Sequence, residues 1–143
     1  MKIADIESSL FRELYNKFEA PLGIKIFESV YYVDFAAYDK WIVIDSLSHS
    51  TGPLPKAIYY LHLSIKNGLL NEKVILNRLC DTVTAYINPG YRIEVFDDET
   101  GVSIGEMEIC DTNLVPVLQH AGGGSFRSLS VEIVYAGDAI SLA

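Results

Sequence analysis

The residues that could do chemistry in this chain are three histidines, two cysteines and a few short polar segments. None of His49, His62 and His120 is followed three or four residues later by a second metal-binding side chain, the spacing by which neighbouring ligands share a metal. His62 stands within a strand pattern, between Tyr60 and Ser64, which favours a half-exposed structural histidine. The histidines therefore predict no metal site.

Cys110, Asp111 and His120 have the residue types of a nucleophilic catalytic site. Such a site works only if the fold brings the three side chains together, and proximity in sequence is no evidence for that geometry. The cysteines lack C-x-x-C spacing; Cys80 falls in a predicted amphipathic helix and Cys110 at a strand end. We therefore predict two reduced thiols and no enzymatic activity.

Two further segments have the composition of ligand-binding loops. Gly122-Gly123-Gly124-Ser125 is followed by Phe126 and a strand pattern, whereas a phosphate-binding loop needs a helix N-terminus and a nearby lysine. Asp97, Asp98 and Glu99 are consecutive and lack the alternating spacing of a calcium loop. We expect a flexible connection, a solvated hairpin tip and no cofactor.

Composition points to a single soluble domain over residues 1–143. The length suits one core, and hydrophobic residues make up 50% of the chain, so disorder is not expected. The formal net charge of −8 disfavours general binding to DNA or RNA, because phosphate backbones repel such a surface. The N-terminus lacks the apolar run of a signal peptide, and no segment suggests a membrane span.

Hydrophobic periodicity predicts two helices and six strands. The first helix has an apolar stripe of Ile3, Ile6, Leu10, Leu14 and Phe18. Turn residues predict loops over 46–55 and 111–125, and Gly105 predicts a bulge or a close backbone approach. The predicted order is a helix over 3–18, strands over 24–33, 41–44 and 57–66, a helix over 71–87, and strands over 92–96, 102–109 and 129–135.

This order predicts an α+β fold. We expect a mixed or mainly antiparallel sheet of about five to six strands, with the N-terminal helix and one central helix packed on it. The tail after residue 136 is small in side chain and weakly patterned.

Tyrosine is the one unusual feature of the composition, at nine residues. The doublets Tyr31-Tyr32 and Tyr59-Tyr60 place one ring on each face of a sheet, and tyrosine is enriched at protein interfaces. The alternative, in which helices of the same chain cover both faces, stays open at this point. The candidate interface residues are Tyr32, Tyr59, Tyr60, His120 and Phe126.

The arrangement of elements resembles the tail-terminator (tail-completion) and neck proteins of long-tailed bacteriophages. The resemblance rests on an N-terminal helix, the stretch Trp41-Ile42-Val43-Ile44, the strand from Ala57 to Ile65, the helix from Asn71 to Ile87 and the closing segment from Phe126 to Tyr135. It covers most of the chain but carries no diagnostic motif, so no site residue is transferred.

The resemblance implies a subunit of a homo-oligomeric ring, typically a hexamer, that caps the tail tube and joins it to the head. Its partners would be tail-tube and neck or connector proteins, and its place the virion, after assembly in the host cytoplasm. DNA would pass through the lumen without specific binding, and Asp97, Asp98 and Glu99 are candidates for an acidic lumen or tip. Residues 47–56 and 111–125 would become ordered on a neighbouring subunit or on the tube.

Three alternatives remain open on sequence grounds. The first is a head-closure or tail-tube component, which differs only in the ring that it touches. The second is a ligand-binding or regulatory α+β domain with a pocket between helix and sheet. The third is a small hydrolase that uses Cys110 and His120.

Overall fold

The computed structural model describes residues 1–28, 37–50, 55–119 and 124–135. A π-helical turn over Tyr15–Glu19, called the π turn below, joins the first two helices. In chain order the other elements are α1 (Ile3–Leu14), α2 (Ala20–Leu22), β1 (Lys25–Phe27), β2 (Lys40–Ser50), β3 (Lys56–Ile65), α3 (Glu72–Thr84), β4 (Arg92–Phe96), β5 (Ser103–Leu114), β6 (Leu118–Gln119) and β7 (Ser125–Tyr135).

The strands form one mixed sheet in the order β1-β2-β3-β7-β5-β4, and the two-residue β6 pairs with β7. Strands β1 and β2 are parallel, and the other pairs are antiparallel. Helix α1 packs against β4, and α3 packs against β3 and β7. The prediction of an α+β fold with both helices packed on a mixed sheet is therefore confirmed.

The strand alternation explains where the core lies. Tyr59, Leu61 and Leu63 of β3 alternate toward the helices and are fully buried there. Opposite them on β7 lie Val131, Leu129 and Arg127 in register. The apolar stripe of α1 covers this face of the sheet, with Ile6, Leu10 and Leu14 fully buried, as the four-residue spacing predicts.

The opposite face of the sheet, called the outer face below, carries the alternate residues of β2, β3 and β7. One end of this face is buried, since Trp41 and Val43 are 0% exposed. Ser64 and Ser128 are buried as well, and the other residues of the face are half-buried or exposed. The outer face consists of Trp41, Val43 and Asp45 on β2, of Ile58, Tyr60, His62 and Ser64 on β3, and of Phe126, Ser128, Ser130, Glu132 and Val134 on β7.

The predicted loop over 46–55 is wrong for its first half. Strand β2 continues to Ser50, with Ser46 opposite Tyr59 and Ser50 opposite Lys56, and a bulge falls between Ser46 and Ser48. Pairing with β3 satisfies the backbone of these serines, so cross-strand contacts outweigh their preference for turns. Residues 51–54 lie outside the described part of the chain.

The predicted connection over 111–125 is also largely strand. Strand β5 extends to Leu114 because a bulge between Ile109 and Asp111 keeps it in register with β7. Strand β6 follows at Leu118–Gln119, and β7 begins at Ser125. Residues 29–36, which include the second half of the strand predicted over 24–33, lie outside the described residues, as do 120–123 and the tail from 136 onward.

The two predicted helices are confirmed, with changes at their ends. The first keeps its span but passes from α1 into the π turn at Tyr15. The second is shorter than predicted, and Asn71 has φ 57° and makes no capping hydrogen bond through its side chain. The bulge predicted at Gly105 is present, since the register of β4 and β5 shifts between Val95 and Phe96.

Candidate functional site

A polar cluster crosses three neighbouring strands on the outer face. Val43, His62 and Ser128 are direct cross-strand neighbours, and Asp45 follows two residues after Val43 on the same face. The Nδ1 atom of His62 lies 2.7 Å from the hydroxyl of Ser128, and its Nε2 atom lies 3.3 Å from a carboxylate oxygen of Asp45. The register thus assembles a serine, a histidine and an aspartate.

The hydrogen-bond roles in this cluster follow from the chemistry of its members. A carboxylate only accepts, so Nε2 of His62 carries a proton and donates to Asp45. In the neutral ring Nδ1 then accepts from the hydroxyl of Ser128. The rings of Tyr60 and Phe126 lie against the His62 ring, with centroids 5.9 and 5.4 Å away. The imidazole is held in one orientation.

These residue types match those of serine hydrolases, but their setting differs. Ser128 is only 5% exposed, so its oxygen is enclosed beneath the aromatic rings instead of facing a substrate. A nucleophile needs an open approach and donors for the developing oxyanion. The cluster is best explained as a polar network that fixes the outer face. Sequence reasoning noticed His62 but missed Asp45 and Ser128, because only the strand register brings them together.

Replacing Ser128 with alanine tests this structural role. We expect Ser128→Ala to lower the free energy of unfolding by about 1–2 kcal/mol, because Nδ1 of His62 loses its donor in a mostly buried position. Urea denaturation of both proteins measures the difference. Ser130→Ala, on the next outward position of β7, is the matched control, and equal losses in the two variants would contradict the assignment.

The end of the outer face formed by Lys56, Ile58, Tyr60, Glu132 and Val134, called its exposed end below, carries both apolar and charged side chains. Ile58, Tyr60 and Val134 are half-buried there. The ammonium of Lys56 lies 3.1 Å from the carboxylate of Glu132, and this contact raises the pKa of Lys56. The half-buried Tyr60 ring fits the enrichment of tyrosine at protein interfaces, and the Lys56–Glu132 ion pair has the polar character of an interface rim.

A cleft of about 400 Å³ lies between α1 and the sheet. Its apolar floor includes Ile44 and Tyr59, and carboxylates of Glu7, Glu28 and Asp98 stand along it. A pocket between helix and sheet is what the alternative of a ligand-binding domain requires. Its volume lies within the range of small-molecule sites. The full lining is Ala4, Glu7, Ser8, Glu28, Ile44, Ser46, Tyr59 and Asp98.

His49 joins this cleft to the core. Its Nε2 atom lies 3.1 Å from the Tyr59 hydroxyl, 3.4 Å from the Ser46 hydroxyl and 3.7 Å from a Glu7 carboxylate oxygen. Burial, with the nearby charge of Glu7 as a lesser cause, raises the pKa of Tyr59. The contacts tie β2, β3 and α1 together at one point.

The hairpin of β4 and β5 carries most of the net charge. Residues 92–111 contain seven acidic residues and one arginine, a charge of −6 out of −8 for the chain. Asp97 accepts hydrogen bonds from the backbone N–H groups of Thr100 and Glu99, which lower the pKa of Asp97. Asp97 therefore shapes the turn, while Asp98 and Glu99 are exposed. A solvated hairpin tip agrees with the sequence expectation.

The interface residues predicted from sequence divide into three groups. Tyr60 and Phe126 are half-buried on the outer face, where both contact His62. Tyr59 is corrected: it is 0% exposed and faces the core, so its ring is not available to a partner. Tyr32 and His120 lie outside the described residues. The two rings of Tyr59-Tyr60 lie on opposite faces of the sheet, as the doublet predicts, but both had been named as interface candidates and only Tyr60 is accessible.

Both cysteines are free thiols, Cys80 buried and Cys110 exposed. The thiol of Cys110 donates to the backbone oxygen of Glu132 at 3.4 Å. Partial burial and the Glu132 charge raise the pKa of Cys110, which lowers the thiolate fraction that a nucleophile needs. The proposed partner His120 lies outside the described residues, so the geometry gives the nucleophilic site no support.

Among the residues that the structure describes, no group of three histidine, cysteine, aspartate or glutamate side chains is arranged to hold a metal ion. Within the same part of the chain, no helix has the length and apolar character needed to cross a membrane. No protein-family model matches the sequence, and no curated protein matches it either.

Proposed function

We propose that this protein is a structural subunit of a virion ring that terminates a phage tail tube and joins it to the head and neck. The proposal starts from the element order that resembles tail-terminator and neck proteins. Its physical support comes from the surfaces that the sheet leaves exposed.

Two different surfaces carry the proposal. A closed ring needs head-to-tail contacts, in which one patch of a subunit meets a different patch of the next. One candidate patch is the exposed end of the outer face around Tyr60. The other is a groove of about 390 Å³ beside α3, lined by Glu72, Lys73, Leu76, Val117 and Ser125. Apolar side chains beside it are accessible, with Leu118 exposed by 52%.

The charge distribution supports passage of DNA through such a ring. An acidic surface repels phosphate, so a lumen lined by it lets DNA slide without sticking. The β4–β5 hairpin concentrates seven carboxylates within 20 residues, which suits a lumenal position. Asp98 and Glu99, both exposed at its tip, are the residues that we place toward the channel.

One specific observation favours a rival function from another class. The cleft between α1 and the sheet has the size of a small-molecule site, as a ligand-binding or regulatory domain requires. The carboxylates of Glu7, Glu28 and Asp98 would select a cationic ligand. Thermal-shift screening of amines against the wild type and Glu7→Gln decides between the two, since the ring proposal expects no stabilisation by any of them.

Ring assembly is tested by size-exclusion chromatography with light scattering and by negative-stain imaging. We expect annular oligomers in the wild type and their loss in Tyr60→Glu, because a buried unpaired charge at a subunit contact costs several kcal/mol. Tyr15→Glu is the matched control: Tyr15 is exposed on the helical segment, away from the outer face. We expect its oligomers to survive.

The controls of this experiment separate folding from assembly. Both variants should keep the circular dichroism of the wild type, because Tyr60 and Tyr15 lie outside the core cluster. A wild type that stays monomeric at high micromolar concentration, even with purified tail tubes added, would contradict the ring proposal. Oligomers that resist Tyr60→Glu would move the interface away from the outer face.

A further inference from the structure

The outer edge of β4 is capped by side chains of the N-terminal helix. Among the strands that the structure describes, β4 is the last of the sheet and pairs with β5 alone. On its other side the N–H of Phe96 donates to the hydroxyl of Ser9 at 2.9 Å. The N–H of Asp98, two residues on, donates to a carboxylate oxygen of Asp5 at 2.8 Å. Phe96 is the last residue of β4 and Asp98 lies in the hairpin turn that follows, so one cap closes the end of the strand edge and the other closes the turn beside it.

The two capping residues are built into the core and are not incidental contacts. Asp5 is 3% exposed and Ser9 is 2% exposed, although polar side chains are seldom so deeply buried. The second carboxylate oxygen of Asp5 accepts from the backbone N–H of Lys2 at 2.7 Å, which begins the helix. One carboxylate therefore starts α1 and fastens it to the edge of the sheet.

Within the described residues, β1 stands at the opposite end of the sheet and has a similar contact. Strand β1 pairs with β2, and the N–H of Ile26 donates to a carboxylate oxygen of Glu19 at 2.9 Å. The other oxygen of Glu19 lies 3.5 Å from the ammonium of Lys25. Glu19 is the last residue of the π turn. Both edges are thus capped from one N-terminal segment, residues 3–19.

We infer that the N-terminal helical segment guards the sheet edges against strand addition by a second copy of this chain. An open strand edge offers unpaired N–H and C=O groups, which recruit strands of other molecules. Ser9 occupies the N–H of Phe96 at the end of β4, and Asp5 occupies the N–H of Asp98 in the turn just beyond it. Copies of the protein therefore meet through their faces and not through β4. This inference holds whether or not the protein forms a ring.

The central test removes both caps of β4. In Asp5→Ala/Ser9→Ala the amide protons of Phe96 and Asp98 lose their acceptors, and we expect them to exchange with solvent about tenfold faster or more. We also expect concentration-dependent association beyond the wild-type assembly state, measured by light scattering. Ser8→Ala is the matched control, because Ser8 is the adjacent helix serine and its hydroxyl bonds only within α1, to the Asp5 backbone oxygen.

A cross-linking variant tests whether the new contact is at β4. Two β4 strands added antiparallel bring the residues at position 94 of the two copies close together. In a Cys110→Ser background, Glu94→Cys should form an intermolecular disulfide with both caps removed, and none with the caps present. Cross-linking at equal rates in the two backgrounds would overturn the inference.

Single variants keep the inference testable if the double variant does not fold. Ser9→Ala alone should speed exchange at Phe96 and leave Asp98 protected. Asp5→Asn keeps an acceptor for Asp98, and exchange there should stay within a few-fold of the wild type. If the amide proton of Phe96 exchanges at the same rate in Ser9→Ala as in the wild type, the inference that Ser9 protects this N–H is wrong.

Discussion

Raising the pH from 10 to 12 is expected to destabilise this protein steeply. The pKa of Tyr59 is raised by burial first and by the charge of Glu7 second. The pKa of Tyr91 is raised by burial and by the hydrogen bond that its hydroxyl donates to Glu13. Burial also raises the pKa of Tyr135. All three phenols resist ionisation in the folded chain.

The sign of the effect follows from linkage. With a folded pKa above the unfolded value near 10, each phenol contributes stability that is fully present below pH 10 and is lost as the pH rises toward the folded pKa. Unfolding releases one more proton for each such group, so stability falls by up to about 1.4 kcal/mol per pH unit and per tyrosine. Tyr59 has no exposed surface, so we expect it to contribute the largest part of this loss of stability.

Tyr59→Phe isolates the share of one residue. At pH 7 the variant should be less stable by about 1 kcal/mol, because the hydrogen bond to His49 is lost. Between pH 10 and 12 it should lose less stability than the wild type, by about 1 kcal/mol per pH unit. Leu61→Val is the control, since it destabilises the same strand without a titrating group. Identical pH slopes in wild type and Tyr59→Phe, from urea denaturation, would contradict the assignment.

Gly124→Ala is expected to be more damaging than the same substitution at Gly23, Gly68, Gly90 or Gly101. Gly124 has φ 89°, and a Cβ atom built there would lie 2.6 Å from the backbone oxygen of Ile65 and 3.6 Å from the Trp41 ring. The oxygen belongs to β3, so relief of the clash requires the start of β7 to move. Left-handed strain and overpacking together should cost about 3 kcal/mol.

Gly90→Ala separates the two causes. Gly90 has a similar φ of 95°, but nothing lies within 4 Å of the Cβ position. Its substitution should therefore cost only the backbone strain, about 1–2 kcal/mol. Urea denaturation of both variants gives the comparison. Equal losses would show that the close approach of Ile65 is relieved without cost.

The parts of the fold that the sequence predicted correctly are the helices and strands with one buried face, because burial of that face sets the spacing of their apolar residues. Leu61 and Leu63 are two residues apart because one face of β3 is buried. Leu10 and Leu14 are four residues apart because one side of α1 is buried. The loop prediction was wrong for Ser46 to Ser50 because their backbone pairs with β3. Such pairing between distant segments cannot be inferred from local residue preferences. The sheet order, with β7 between β3 and β5, is likewise set by non-local pairing.

The candidate site was less predictable than the fold for the same reason. Tyr60 could be placed on a sheet face from the doublet rule, but nothing local distinguished it from Tyr59. The cluster of Asp45, His62 and Ser128 depends on the register of three strands. The caps at Asp5 and Ser9 depend on where α1 lies along β4. A composition rich in tyrosine indicated an interface without showing which rings are exposed.

The π turn over Tyr15–Glu19 has a consequence for the permitted length of this chain. The π turn uses five residues where an α-helical turn uses about four. It therefore accommodates one extra residue while the helical residues on either side keep facing the same directions. Deleting the exposed Asn16 would convert it to an ordinary helical turn and leave Leu14 facing the core and Glu19 facing Ile26. Related sequences that are one residue shorter between Leu14 and Ile26 are thus compatible with the same sheet edge.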